Sequence, residues 1–238
     1  MDNQYKIARA WLVHFYTATG LITAFAAFQA LLNGDAHTVF LWQGVALFID
    51  ATDGPLARRW EVTHWTPSFS GRKLDDIVDY VNYTLISMLF AYYFGLVTGV
   101  GIVVLVVVLM VSAYGFCQEK AKTDDGYFTG FPSYWNLVVF YLYLLDPSPW
   151  VSAVVLGVFA VLVFVPVKYI TWKSPVLARL TFGLSLIWFV FLAGLMFWFD
   201  AVPIWAVWSS LLYPAYHIGL SLYLHFRRKK QIINSVTN

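Results

Sequence analysis

Apolar positions in this chain come in long unbroken runs rather than in the short periodic stripes of a soluble fold. Runs near the length that carries a helix across the bilayer's hydrocarbon, roughly 20 residues, recur at 10–32, 37–54, 76–95, 98–117, 134–145, 149–167, 177–199 and 203–226. The fifth is the shortest, and the segments between the runs hold nearly all of the charge. The pattern predicts an all-α, polytopic membrane helix bundle of about eight transmembrane helices, with 1–238 forming a single integral membrane domain.

Composition agrees: 60% of the 238 residues are hydrophobic, 19% aromatic and only 12% charged, more apolar material than one soluble core can bury. Threading the chain through eight spans places all 15 Lys and Arg, from Lys6 and Arg9 to Lys229 and Lys230, on the side of the two termini. The opposite connections carry only Asp35, Asp146 and Asp200. By the positive-inside tendency, both termini and the basic loops are expected to be cytoplasmic. The Ala24-Phe25-Ala26 triplet has the form of a signal-cleavage site, but its apolar run is too long for a signal and more spans follow, so a retained helix is expected. A single cysteine, Cys117, excludes an internal disulfide framework, and the five scattered histidines suggest no zinc site. A net charge of +2 spread over several loops gives no reason to expect a nucleic-acid partner.

Acidic residues change the picture, because the stretch from Asp50 to Asp79 holds six of the 13. Asp50 and Asp53 end the second span, Asp75 and Asp79 open the third, and the intervening loop returns them to the same depth. At helical spacing Asp50, Asp53, Gly54, Ala57 and Arg58 share one face, while Gly71, Asp75 and Asp79 share another. Asp76 points elsewhere. Four converging carboxylates repel one another and are costly to desolvate unless cations neutralise them or some stay protonated, and bound divalent metal resolves this most simply. An all-oxygen set favours Mg²⁺ or Mn²⁺ over zinc, and two ions about 3.5–4 Å apart are the usual clamp for an in-line phosphoryl displacement. Capping alone accounts for Asp75 and Asp76 at a helix start, but not for Asp50 and Asp53 near a helix end, where negative charge is unfavourable.

The pattern Asp50-x2-Asp53-Gly54-x2-Ala57-Arg58, then Gly71-x3-Asp75-x3-Asp79, resembles the signature of the CDP-alcohol phosphotransferases. The twelve residues from Arg59 to Ser70 exceed the usual gap of that family. The longer gap, the segments Tyr114-Gly115-Phe116 and Phe128 through Asn136, and the eight-span count resemble its bacterial phosphatidylcholine synthase branch. The resemblance implies that Asp50, Asp53, Asp75 and Asp79 hold two Mn²⁺ or Mg²⁺ ions, with Asp79 the catalytic base. It also implies that Asp53, Gly54, Ala57, Arg58 and Gly71 receive the nucleotide, Arg58 by pairing with the diphosphate. The substrates implied are CDP-diacylglycerol and choline, the setting a multi-pass protein of the bacterial inner membrane with its site at the cytoplasmic face, and the assembly a homodimer through membrane helices.

A quaternary ammonium offers no hydrogen-bond donor, so a choline site calls for aromatic faces with a carboxylate near by. Tyr114, Glu119, Phe131, Tyr134 and Trp135 in the cytoplasmic segment from 114 to 135 are candidates, and Trp60 and Trp65 in the long loop add to them. Lys168, ending the sixth span, is a candidate for a lipid phosphate. Thr17, Thr19 and Thr23 line one side of the first span, where hydroxyls more often satisfy carbonyls or neighbouring helices than bind substrate. Other readings stay open: a serine, inositol phosphate or glycerol phosphate acceptor with the same chemistry, or a membrane transporter, since buried carboxylates also mark ion paths.

Overall fold

The computed structural model describes residues 2–118, 127–170 and 178–236. The first apolar run is helical as α1 (Asp2–Ala18) and α2 (Gly20–Leu32), meeting at Thr19. Asp35 then caps α3 (Ala36–Arg59) by accepting from the Thr38 backbone N–H at 2.9 Å. The chain continues through the one-turn helix α4 (Val62–Trp65) and α5 (Gly71–Asp79), then a π-helical stretch Tyr80–Ile86, then α6 (Ser87–Tyr93). Next come α7 (Ile102–Phe116), strand β1 (Tyr127–Thr129), α8 (Trp135–Leu145), α9 (Pro149–Phe164) and strand β2 (Lys168–Ile170). The order closes with α10 (Ala178–Phe197), α11 (Ile204–Ser210) and α12 (Leu212–Val236).

Each predicted apolar run therefore has a helical counterpart, and the fold is all-α but for one ribbon. Among the described residues, Asn3–Leu32, Gly99–Phe116 and Leu180–Phe197 are long and apolar enough to cross a bilayer; α8 and α9 are apolar but shorter. Helix α3 is 24 residues long, yet Asp50, Asp53, Arg58 and Arg59 make its second half polar. The outer faces match a lipid solvent: Val103, Val106 and Met110 of α7 are exposed, while Leu105, Val108 and Ser112 of the same helix are buried. The core gathers α2, α3, α6, α7, α8, α9 and α10 around Phe40, which packs on Phe90 at 4.6 Å and Phe140 at 4.9 Å between ring centres.

Two features were not legible in the pattern of runs. Strands β1 and β2 pair antiparallel, with Phe128 opposite Tyr169, and join segments about 40 residues apart. A three-residue strand is too short to leave a period-two signal, and only its partner satisfies its backbone. The second feature is the fate of the long gap between α3 and α5. Its extra residues wind into α4, whose Val62 packs against Ala10 and Val13 of α1. Phe69 packs at a tilt of 56° against the buried His14 ring, 4.5 Å between centres. His14 Nε2 lies 2.9 Å from the Thr66 hydroxyl, which itself donates to the Val62 carbonyl. The hydroxyl's one proton being committed, the imidazole is the donor.

This packing explains Gly71 at the start of α5. A Cβ there would lie 2.8 Å from His14 Cε1, so the absence of a side chain is what lets α1 approach. Gly71→Ala is expected to destabilise the protein by about 1–3 kcal/mol through overpacking. In a His14→Ala background the same substitution should cost much less, as read by thermal unfolding in detergent.

Candidate active site

The acidic site forms where α1, α2, α3, α5 and the π-helical stretch converge. Asp50 and Asp53 come from α3, where Pro55 lacks the N–H that would bond the Ala51 carbonyl and so loosens the helix just beyond the two aspartates. Asp75 and Asp79 come from α5, which starts at Ser70 because its Oγ accepts from the Lys73 N–H at 3.3 Å. Carboxylate oxygens of Asp50, Asp75 and Asp79 lie within 4.8 Å of one another, and all three residues are half-buried. Asp53 is buried, and its Oδ2 accepts from the Thr17 hydroxyl of α1 at 2.7 Å. All four aspartates line one small cavity with Thr17, Gly20, Asn82 and Tyr83; its free volume of about 10 Å³ suits a single water-sized guest. Asp76 is outside that lining and faces Arg72, with Oδ2 3.9 Å from Nε.

A set of hard oxygen donors this close together fits a divalent cation. Asp79 ends α5 and the carboxylates of α3 also lie toward a C-terminal helix end, where negative charge is unfavourable and a bound cation would offset it.

The π-helical stretch supplies site residues that the sequence analysis passed over. Its wider turn carries Asn82 and Tyr83 to the cavity just after Asp79. Asn82, almost wholly buried, donates to the Gly20 carbonyl at 2.8 Å and to the Val78 carbonyl at 3.0 Å, and accepts from Thr23 at 3.1 Å. It thereby ties α2 to the end of α5, where a methyl group on Gly20 would overlap the Val78 side chain. Tyr83 donates to Asp50 Oδ2 at 3.3 Å. Two polar side chains soon after Asp79 in an otherwise apolar run were the available signal.

Thr17 belongs to this group too, since its hydroxyl orients a site carboxylate instead of bonding a carbonyl. Thr17→Val, which keeps the shape and removes the donor, is expected to lower turnover about tenfold or more, whereas Thr17→Ser should stay near wild type. Steady-state kinetics on the two purified variants checks this.

Beyond the carboxylates, Ala57, Arg58, Glu61, Val62, Thr63 and His64 surround an open depression of about 370 Å³, the size of a small-ligand pocket. The Arg58 guanidinium folds back over Gly54, within 3.3 Å of where a Cβ would be. Gly54 thus clears space for Arg58, and Ala57 keeps the depression open. Gly71, by contrast, faces His14.

The aromatic candidates separate. Trp135 is fully buried, and its Nε1 donates to Ser112 of α7 at 2.7 Å. Phe131 is buried between Trp135 at 5.2 Å and Phe159 at 4.8 Å. Tyr114 is exposed on α7 and lies against Phe164 at 5.1 Å. Trp60 and Trp65 are engaged by Arg9 at 5.1 Å and Lys6 at 5.2 Å over their rings. Tyr134 is different: it stands at the N-cap position of α8 and keeps part of its surface exposed. Glu119 lies outside the described residues. Lys168 starts β2, where its backbone N–H points to His225 Nδ1 at 3.4 Å.

Comparison with known proteins bears on the whole arrangement. Residues 12–167 match the model of the CDP-alcohol phosphatidyltransferase family. A phosphatidylcholine synthase of Pseudomonas aeruginosa is 36% identical over 77% of this chain and 78% of its own length. That of Brucella melitensis is 33% identical over 92% of this chain and 78% of its own. That of Borreliella burgdorferi is 31% identical over 93% of this chain and 97% of its own.

Proposed function

Since the chain belongs to the CDP-alcohol phosphatidyltransferase family, we propose that it transfers the phosphatidyl group of CDP-diacylglycerol to choline and releases CMP. The observation that carries this reading is a cavity lined by all four of Asp50, Asp53, Asp75 and Asp79, in a chain similar to several phosphatidylcholine synthases. Family membership also removes the main support for a transporter.

In this reading Asp50, Asp53, Asp75 and Asp79 hold two divalent ions, Mn²⁺ or Mg²⁺. Such ions, when bound, neutralise the diphosphate and the charge that develops on the leaving CMP. Arg58 pairs with the diphosphate from the depression at the end of α3, and Asp53, Gly54 and Ala57 border the nucleotide. Gly71 acts indirectly, by seating His14 and fixing the start of α5. Thr17 and Tyr83 hold the Asp53 and Asp50 carboxylates in place by hydrogen bonds. Asp79 accepts the proton of the choline hydroxyl as that oxygen attacks the lipid-bearing phosphorus in line, and the bond from phosphorus to the CMP oxygen breaks. Lys168 serves the lipid phosphate.

The site belongs to the cytoplasmic face of a bacterial inner membrane, a reading supported by the one-sided distribution of Lys and Arg over eight proposed crossings. A homodimer through membrane helices is the proposed assembly. The test is an acceptor assay on purified protein with CDP-diacylglycerol, Mn²⁺ and radiolabelled choline or serine. Labelled phosphatidylcholine with matching CMP release is the expected result; incorporation of serine in place of choline overturns it.

A further inference from the structure

The residues between Arg58 and Gly71 lie outside every position of the aspartate signature, yet four of them stand beside Arg58. Glu61, Val62, Thr63 and His64 enclose the open depression of about 370 Å³ together with Ala57 and Arg58. Two observations join this depression to the acidic cavity. Ala57 and Arg58 fall on the same stripe of α3 as Asp50, Asp53 and Gly54. The Arg58 guanidinium also lies over Gly54, with Nη1 3.3 Å from where a Cβ would stand, and Gly54 adjoins Asp53, which lines the cavity. Arg58 therefore bridges the two spaces. A ligand whose charged part is held by the carboxylates and Arg58 lays its remainder in the depression.

The walls of the depression are fixed from behind. Val62 is buried and packs with Ala57 against Ala10 and Val13 of α1. The His64 ring meets Trp65 edge-on at 4.8 Å and 89°, and Lys6 lies over the Trp65 ring at 5.2 Å. Glu61 makes the turn between the two helices. Its N–H donates to the Arg58 carbonyl at 3.2 Å, and its carbonyl accepts from the His64 N–H at 2.9 Å. Its φ of +50° is left-handed, a conformation that costs any residue with a side chain and that glycine adopts freely. The sequence nonetheless places a carboxylate there, and Glu61, Thr63 and His64 are all exposed toward a ligand in the depression.

We infer that this depression receives the base of the nucleotide, and that Glu61 selects cytosine by accepting from its exocyclic amine while His64 packs on the face of the ring. The inference rests on the proposed transfer reaction and deepens it by naming the residues that read the base. Cytosine presents an N–H donor at the position where uracil presents a carbonyl oxygen, so a carboxylate attracts the first and repels the second. A ring face such as that of His64 stacks on any base and adds affinity without choice. The Thr63 hydroxyl supplies a donor for a ring nitrogen or carbonyl, and the small Ala57 side chain leaves room for a flat ring. With the diphosphate held at Arg58, the base lies toward α4 and the reacting phosphorus toward the carboxylates. The volume is that of a small-ligand pocket.

Glu61→Gly in full-length purified protein is the deciding variant, because glycine keeps the left-handed turn without strain and removes the carboxylate. Calorimetric titration with CDP and with UDP, in the presence of Mn²⁺, reads the effect. The wild type should bind CDP about tenfold or more tightly than UDP. Glu61→Gly should lose about tenfold in CDP affinity, keep UDP affinity within about twofold, and show little change in its thermal transition. His64→Leu should weaken CDP and UDP alike by about tenfold, whereas His64→Phe, which keeps a ring face, should stay within about twofold of wild type. In turnover, Glu61→Gly should raise KM for CDP-diacylglycerol and leave KM for choline within about twofold. The inference is overturned by an unchanged preference for CDP in Glu61→Gly, by equal loss of CDP and UDP in that variant, or by equal damage from Leu and Phe at position 64. A wild type that shows the Glu61-dependent preference for CDP but makes no phosphatidylcholine from choline supports the base subsite and ends the choline reading alone.

Discussion

Asp79→Asn is expected to lower phosphatidyl transfer by about a thousandfold or more while leaving nucleotide binding measurable. The amide keeps the size of the carboxylate but cannot accept the acceptor's proton, and general-base catalysis alone is worth about 10²–10⁴. Asp79 is also one of three carboxylates whose oxygens converge within 4.8 Å, so the substitution removes charge from the proposed cation site as well. Turnover measured by CMP release and affinity measured by titration with a CDP ligand separate the two effects. Near-normal turnover in Asp79→Asn would reject the assignment of the base. By contrast, Asp76→Asn should change turnover little, because Asp76 faces Arg72 outside the cavity lining.

Removal of divalent metal is expected to have an effect as large. With chelator present, turnover should fall to background and return on addition of Mn²⁺ or Mg²⁺, because the proposed reaction needs the charge of the ions at the diphosphate. A binding readout independent of turnover is Mn²⁺ titration followed by electron paramagnetic resonance. The wild type should take up the ion, and Asp50→Asn and Asp75→Asn should take it up markedly less. Full activity after exhaustive chelation would remove the metal from the mechanism. Loss of folding on chelation, seen as a collapse of the thermal transition, would instead assign the carboxylates a structural role.

How much of this was readable beforehand depended on whether the signal was local. Asp50, Asp53, Asp75 and Asp79 were legible because each pair lies on one helix at three- or four-residue spacing, which fixes their common face. The loop's return to the same depth followed from the alternation of apolar runs. Asn82 and Tyr83 were not legible, because a π-helical turn rotates the side chains after it by an amount that an α-helical wheel does not anticipate. Trp135 and Phe131 looked like interfacial or ligand-binding aromatics by type, yet they are packing residues. Residue type alone does not tell a buried ring from an open one.

Chain order and spacing alone determined a helical, lipid-adapted protein with a carboxylate face on each of two neighbouring helices, because hydrophobic periodicity and charge placement act within one helix at a time. Tertiary structure decided that His14 occupies the space above Gly71 and that Thr17 and Tyr83 hold the site carboxylates. These are contacts between segments from 33 to 57 residues apart in the numbering. Which of many apolar or aromatic partners meet across such distances is settled by the packing of whole helices, a property that no short window of sequence contains.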